Sequence, residues 1–357
     1  MLPVMRFGRY IAIEILVVLT VFGLGGAGIV RGGSAAVAHF WALQRGVVDA
    51  STPTRFALSD VPVAIVRTEP SGMFLGMSDD LLLARVADQP VVATKLNRGG
   101  SSISFRLEFA DGSRAAFKPA QTNLQSIPRK EVAAYRINRL LGLNAVPPAI
   151  PRSLSREELL ANLHPESRAM VPRILAETIF DRAGRTVGMA QYWIPKIVES
   201  GLDSQEGITR TFGWLTIGND IRPTDRSMAA QVSNLVVFDF ITDNPDRYSG
   251  GNMKMSPDGD KLYFMDNTMA FYLKPDGSES TRRSLLRSQR FSRSLYEKLD
   301  RLTPTAIRSS LSESGLDPEM VLTAAETRAV VSRQQFVKHH IDDLIAHHGE
   351  PLVLLFP

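Results

Sequence analysis

Asp243-Asn244-Pro245-Asp246-Arg247-Tyr248-Ser249-Gly250-Gly251-Asn252 follows directly on an apolar stretch, Met228 to Thr242, that reads as a buried helix. A polar loop at the end of such a helix holds a carboxylate at a fixed point. Asp246 is then placed to take the proton of an attacking hydroxyl, and Asn252 offers an amide oxygen to a divalent metal. Asp266 lies 20 residues beyond Asp246, in Phe264-Met265-Asp266-Asn267, where a short strand (Leu262 to Met265) ends in a carboxylate. A hard cation held by that carboxylate would bridge the phosphates of a nucleotide. Each stretch alone also reads as an ordinary turn, because Asp, Asn, Pro and Gly are turn residues. The order and separation of the two carboxylates, rather than either motif, carry the reading of a phosphoryl-transfer site.

Upstream lie the parts such a site needs to grip a nucleotide. Gly99-Gly100-Ser101-Ser102 stands at the mouth of a strand, where glycines let backbone N–H groups approach phosphates. Ile103, Phe105, Leu107 and Phe109 alternate with polar residues, Asp111-Gly112 makes a hairpin turn, and Arg114 to Lys118 returns as a second strand. Alternation puts Ala116 and Lys118 on one face, so the lysine can reach phosphate oxygens. Glu131 gives Lys118 a partner from the first turn of a helix over Arg129 to Leu141, which starts at Pro128 and stops at Gly142. Ala133, Ile137, Leu140 and Leu141 form its buried face. A helix over Arg156 to Leu163 and a strand over Arg185 to Ile194 follow. Tyr192-Trp193-Ile194-Pro195 reads either as an adenine-binding hinge or as an aromatic core strand. Asp239, inside the apolar helix, either braces the Asp246 loop or satisfies a local hydrogen bond.

With these pieces in order, the chain resembles the secretory-pathway atypical kinases, the family that includes the Golgi casein kinase and four-jointed, as a bacterial-type relative. Lys130-Glu131-Val132-Ala133-Ala134-Tyr135, running on to Val146-Pro147-Pro148, is similar to that family's glutamate helix and Val-Pro-Pro. Phe117-Lys118-Pro119 looks like its ATP-lysine strand, and Met265-Asp266-Asn267 like its Asp-Asn metal motif. Val237-Phe238-Asp239-Phe240-Ile241 with the Asn-Pro-Asp-Arg that follows looks like its catalytic loop. The similarity runs from about Gly99 to Phe271. It implies an α+β, two-lobed atypical protein-kinase-like fold that uses ATP with Mn²⁺ or Mg²⁺. The implied reaction moves the γ-phosphate to a serine or threonine of an exported protein, or to a sugar of a glycan. On the matching positions Lys118 contacts phosphate, Glu131 orients Lys118 or the metal, Asp246 is the base and Asp266 binds metal. Two departures stand out: animal members are disulfide-bonded, and Asn252 sits one position further from Asp246 than the H-R-D-x-x-x-x-N kinase pattern places it. The alternatives are a nucleotide-binding pseudokinase acting as an extracytoplasmic interaction module, or a structural envelope protein that binds no nucleotide. Retention of Asp246 argues against the first, because a binding module has no need of a base.

The whole chain fits an exported catalytic domain. Its 357 residues are 44% hydrophobic and 22% charged, which suits a folded core. A charge of +4 with no nucleic-acid-binding motif implies no nucleic-acid partner. There are no cysteines, so disulfides, thiolate metal sites and a cysteine nucleophile are excluded. His339-His340 and His347-His348 read as helix-end histidines in preference to a zinc site. Arg283, Arg287 and Arg290 read as one helical face, either a basic stripe for acidic substrate or membrane phosphate, or a plain solvated surface. Further helices are expected over Ser294 to Leu302, Pro304 to Ser314, Pro318 to Ala325 and Thr327 to His348.

Ile11 to Val30 carries Glu14 as its only charge and is long enough, at ~1.5 Å per residue, to cross a ~30 Å hydrocarbon layer. Arg6 and Arg9 ahead of it favour a cytoplasmic N-terminus. The organisation that follows is a short cytoplasmic N-terminus (1–10), a transmembrane signal anchor (11–30) and a juxtamembrane connector (31–76). A kinase-like N-lobe (77–195) and C-lobe (196–357) complete it. A signal peptide cleaved after Ala36-Val37-Ala38 is the competing reading of the first segment. Reporter fusions placed after Gly76 are expected to behave as exported; a cytoplasmic signal from them overturns this topology.

Overall fold

The computed structural model describes residues 72–97, 100–249 and 251–357. The segments 1–10 and 11–30, most of the connector and Gly99 lie outside the described residues, among which no helix is long and apolar enough to cross a membrane. β1 (Met73–Phe74) and β2 (Met77–Ser78) pair as a hairpin that leads into α1 (Asp79–Ala87). The Phe74 ring is buried against Tyr192 and Tyr263, at 6.4 and 5.9 Å, so core packing starts ahead of residue 77.

An antiparallel five-stranded sheet comes next. It contains β3 (Val91–Leu96), β4 (Phe105–Phe109), β5 (Arg114–Pro119), β6 (Ala149–Ser155) and β7 (Arg185–Tyr192), in the order β3-β4-β5-β7-β6. The helix α2 (Arg129–Leu141) joins β5 to β6, and α3 (Arg156–Ala161) and α4 (Val171–Glu177) lie between β6 and β7. Phe105, Leu107 and Phe109 of β4 enter one apolar core with Ala115 and Phe117 of β5. That leaves Ala116 and Lys118 on the other face.

The rest of the chain is mainly helical. It runs through β8 (Val198–Glu199), α5 (Gln205–Trp214), α6 (Arg226–Thr242), β9 (Met253–Met255), β10 (Leu262–Phe264), α7 (Glu279–Arg287) and α8 (Arg293–Lys298). It ends with α9 (Pro304–Ser312), α10 (Pro318–Val321), α11 (Ala324–His348) and α12 (Glu350–Val353). Twelve of the 17 residues of α6 are buried, as expected for a helix apolar on every side. β8, β9 and β10 pair antiparallel beside the loop that leaves α6.

α2 stops at Gly142, whose φ of 64° is the left-handed cap that only glycine adopts without strain. Ten of its 13 residues are buried, because it packs on β6 and β7 and also on α9 and α10. Arg136 closes that second contact, with Nη1 2.6 Å from the Glu313 carboxylate and Nη2 donating to the Glu313 carbonyl at 2.8 Å.

Three expectations change. The break between the last helices falls earlier than Glu326, because Thr323 and Glu326 form a capping box that starts α11 at Ala324. No basic stripe forms: α7 ends at Arg287, which stacks 4.1 Å over Phe212, while Arg290 turns inward to the Trp214 and Asn219 carbonyls. His339 and His340 lie inside α11 and not at its end. His340 packs edge-on to Phe291, and His347 and His348 lie in the last turn of α11.

One glycine sets the site-bearing strand. Gly188 lies opposite Pro119, where a Cβ would come within 2.3 Å of the Lys118 carbonyl oxygen and 2.8 Å of Pro119 Cα. Gly188→Ala is therefore expected to cost roughly 1–3 kcal/mol of stability by overpacking, seen as a lower denaturant midpoint.

Candidate active site

Three elements bring their charged ends together at Lys118. Its ammonium lies 2.9 Å from Glu131 Oε1 at the first turn of α2, and 2.8 Å from Asp266 Oδ1 just past β10. Burial alone would lower the pKa of Lys118, but the two carboxylates outweigh it and raise it. Burial works the other way on Asp266, and Lys118 with Thr268 overcomes it, holding the carboxyl at about 2. The Thr268 hydroxyl donates to Asp266 Oδ1 at 2.7 Å. Glu131 is wholly enclosed, whereas the Asp266 side chain keeps 40% of its surface exposed.

Behind this trio runs a buried polar chain. Asn267 Nδ2 donates to Glu131 Oε2 at 3.2 Å, and Asn267 Oδ1 accepts from Arg247 Nη2 at 2.8 Å and Asn244 Nδ2 at 3.2 Å. Arg247 in turn grips Asp239 at 2.9 Å and donates to the carbonyls of Asn252 and Met265. Burial would lower Arg247, and Asp239 outweighs it, so the guanidinium stays charged. Asp239 thus braces the loop. Removing one partner of a buried pair like this costs about 3–5 kcal/mol, because a lone charge is left behind.

Asp246 sits half-buried on the braced loop, its carboxylate accepting from Asn252 Nδ2 at 3.2 Å and from the Ser249 hydroxyl. The side-chain amide of Asn252 therefore bonds Asp246 and not Asp266. The neighbouring Asp243 has a different task. It is fully buried and accepts from Ser278 N at 2.7 Å and Thr281 Oγ1 at 2.9 Å, which caps α7. Gly100, at φ 101°, lies on an exposed turn. Gln121 anchors that turn by accepting from Ile103 N at 2.7 Å and donating back to its carbonyl at 3.0 Å. In the Tyr192–Pro195 stretch, Trp193 N donates to the Arg114 carbonyl at 3.2 Å, tying the end of β7 to β5.

The part played by two residues of this site is not given by any motif, although Asn267 stands in the Asp-Asn pair. Gln121 lies outside any periodic pattern. Asn267 follows the metal-type carboxylate and reads as part of a turn, yet it is the joint between Glu131 and the Asp246 loop.

A strand lysine paired to a helix glutamate, with one carboxylate on a loop after a buried helix and another after a short strand, is the kind of arrangement that protein-kinase sites use. No protein-family model matches the chain, and no curated protein does either. Solved structures do. The fold matches the crystal structure of the Golgi casein kinase with Mn/ADP bound at a TM-score of 0.59 and 18% identity, over 77% of this chain and 78% of that one. A second Golgi casein kinase structure aligns at 0.59 and 15% identity, covering 77% of each chain. The structure of hydra Fam20 with sugar aligns at 0.55 and 14% identity, over 75% of this chain and 89% of that one. The likeness is one of fold: a mixed helix-and-sheet, kinase-like architecture of the Golgi casein kinase and Fam20 type.

The residues present suit a divalent cation carried in with a nucleotide. Such an ion needs one or two protein carboxylates, its other ligands being phosphate and water oxygens. Asp266 is ionised and partly exposed, while among the described residues no three His, Asp or Glu gather into an all-protein cage. Because the folded-state pKa of Asp266 is depressed from 3.8 to about 2, its contribution to stability is present above the ordinary value and lost as pH falls towards 2. Acid unfolding followed by circular dichroism should be flatter over that window in Asp266→Asn than in the wild-type chain.

Proposed function

We propose that this chain is an ATP-dependent phosphotransferase that modifies a hydroxyl of an exported protein or glycan. It is tethered by residues 11–30 with its catalytic domain outside the cytoplasm, and its lobes are residues 77–195 and 196–357. The observation that carries the reading is the Lys118 ammonium held between Glu131 and Asp266. Two partners from separate elements fix its position, as a group that must meet phosphate oxygens requires. The Mn and ADP bound to the Golgi casein kinase, and the sugar bound to hydra Fam20, support a metal-nucleotide and a hydroxyl acceptor.

Each residue then has a role. Lys118 contacts the phosphates, and Glu131 holds it in place. Gly99 and Gly100 bring backbone N–H groups to the phosphates. Asp266, with the Asn252 amide oxygen, holds Mn²⁺ or Mg²⁺, which when bound neutralises charge on the transferring phosphate. The acceptor oxygen forms a bond to the γ-phosphorus as the bond to the bridging oxygen of ADP breaks. Asp246 takes the acceptor's proton. The hydrogen bonds from Asn252 and Ser249 keep its carboxylate turned to one side.

The test supplies γ-labelled ATP with Mn²⁺ or Mg²⁺ to the chain from Arg31 onward and follows label onto envelope proteins and glycans. Asp246→Asn should lower transfer roughly 10²–10⁴-fold. Metal-nucleotide should raise the melting temperature of the wild type, by linkage worth about 2.7 kcal/mol at a hundredfold excess over Kd. Asp246→Asn should retain most of that rise and Asp266→Ala should lose it. A rise without transfer in the wild type indicates a pseudokinase. No metal-dependent rise at millimolar ATP refutes the nucleotide site.

A further inference from the structure

We propose that α11 is a positioning strap for the phosphotransfer site, acting through Glu326 and Arg333. The inference rests on the reading of Lys118, Glu131, Asp246 and Asp266 given above. Glu326 forms a two-pronged ion pair with Arg129, at 2.9 Å for each prong, and Arg129 also donates to the Val321 carbonyl at 2.8 Å. Arg129 opens the helix turn that carries Glu131. The next residue, Lys130, is buried with its ammonium 5.1 Å from the ring centre of Tyr272. The first turn of α2 is thus held where Lys118 meets its glutamate.

Arg333 lies seven positions after Glu326, two turns along the same rod, so both side chains leave one face. It is fully buried and bonds only backbone. Nε donates to the Ile241 carbonyl at 2.8 Å, and Nη1 to the carbonyls of Tyr272 at 3.0 Å and Lys274 at 2.8 Å. Ile241 is in the last turn of α6, where carbonyls lack helix partners and the Asp246 loop begins. Tyr272 and Lys274 lie shortly after Asp266. One helix therefore spaces three segments: the Glu131 turn, the entry to the Asp246 loop, and the chain beyond Asp266. A guanidinium with no carboxylate partner is costly to bury. A hydrophobic side chain would fill the same volume, so the hydrogen bonds to these carbonyls are what the arginine supplies.

A strap of this kind acts on turnover more than on nucleotide affinity, because it sets the alignment of groups that a bound nucleotide already touches. The experiment uses the same labelled-ATP transfer assay with Mn²⁺, comparing the wild type with Arg129→Met, Arg129→Lys and Arg333→Lys. Arg129 is partly exposed, so its variants should fold, and melting temperatures are recorded for all four. Arg129→Met is expected to lower the maximal transfer rate about tenfold or more, with the ATP concentration for half-maximal rate within about threefold of wild type. Arg129→Lys, which keeps the charge but not the two-pronged geometry, should recover only part of the rate, and Arg333→Lys should show the same split as Arg129→Met. Wild-type rates in Arg129→Met, or a loss that only tracks the drop in melting temperature, overturn the strap while leaving the site intact. A wild-type chain with neither transfer nor a metal-dependent thermal shift refutes the site itself, and the strap with it.

Discussion

The Lys118 ammonium, shared between a carboxylate from a helix and a carboxylate from the end of a strand, is the constraint on which the other site contacts depend. Glu131 has no access to water, so its charge is tolerable only while Lys118 and Asn267 satisfy it. That requirement fixes α2 against β5. It also fixes the Asp266–Asn267 turn, because Asn267 must reach Glu131 with one end of its amide and Arg247 with the other. Arg247 passes the constraint to Asp239 inside α6. Lys118 and the Asp246 loop thus belong to one connected hydrogen-bond system, in which moving any member exposes another unpaired.

Two aspartates hold this system in backbone conformations that side chains rarely adopt. Asp243 and Asp266 both have φ of 50°. A non-glycine residue there loses of order 1–2 kcal/mol, and the loss is offset by what each carboxylate does. Asp243 ends α6 and caps α7, turning the chain sharply at the start of the catalytic-type loop. Asp266 turns the chain out of β10 so that its carboxylate faces Lys118 while Asn267 points inward. The local strain is the means by which two successive residues serve opposite sides of the site.

Much of the site was legible because it rests on short-range rules. Strand alternation sets Lys118 apart from Phe117, and the Pro128 and Gly142 boundaries delimit α2 as observed. The apolar run over Met228 to Thr242 likewise became α6. What could not be read depends on tertiary contact. α1, β3 and α5 are short and depend on neighbours, and the cations of α7 announce a helical face but not where it stops. Arg290 looks like one of a row of surface cations, yet it is buried because α7 stops three residues earlier and the chain turns inward. Asn267 and Gln121 are neutral amides, whose importance lies in what they join across the fold and not in any local pattern.

The burial of α2 bears on how a small molecule could bind beside Lys118. A glutamate helix able to swing outward would open space behind the lysine it pairs with. Here ten of 13 helix residues are covered, and Arg136 is locked to Glu313 on the far side. Swinging the helix would strip apolar surface and break that ion pair together with the Lys118 contact. A small molecule that binds beside Lys118 therefore meets the helix where it stands.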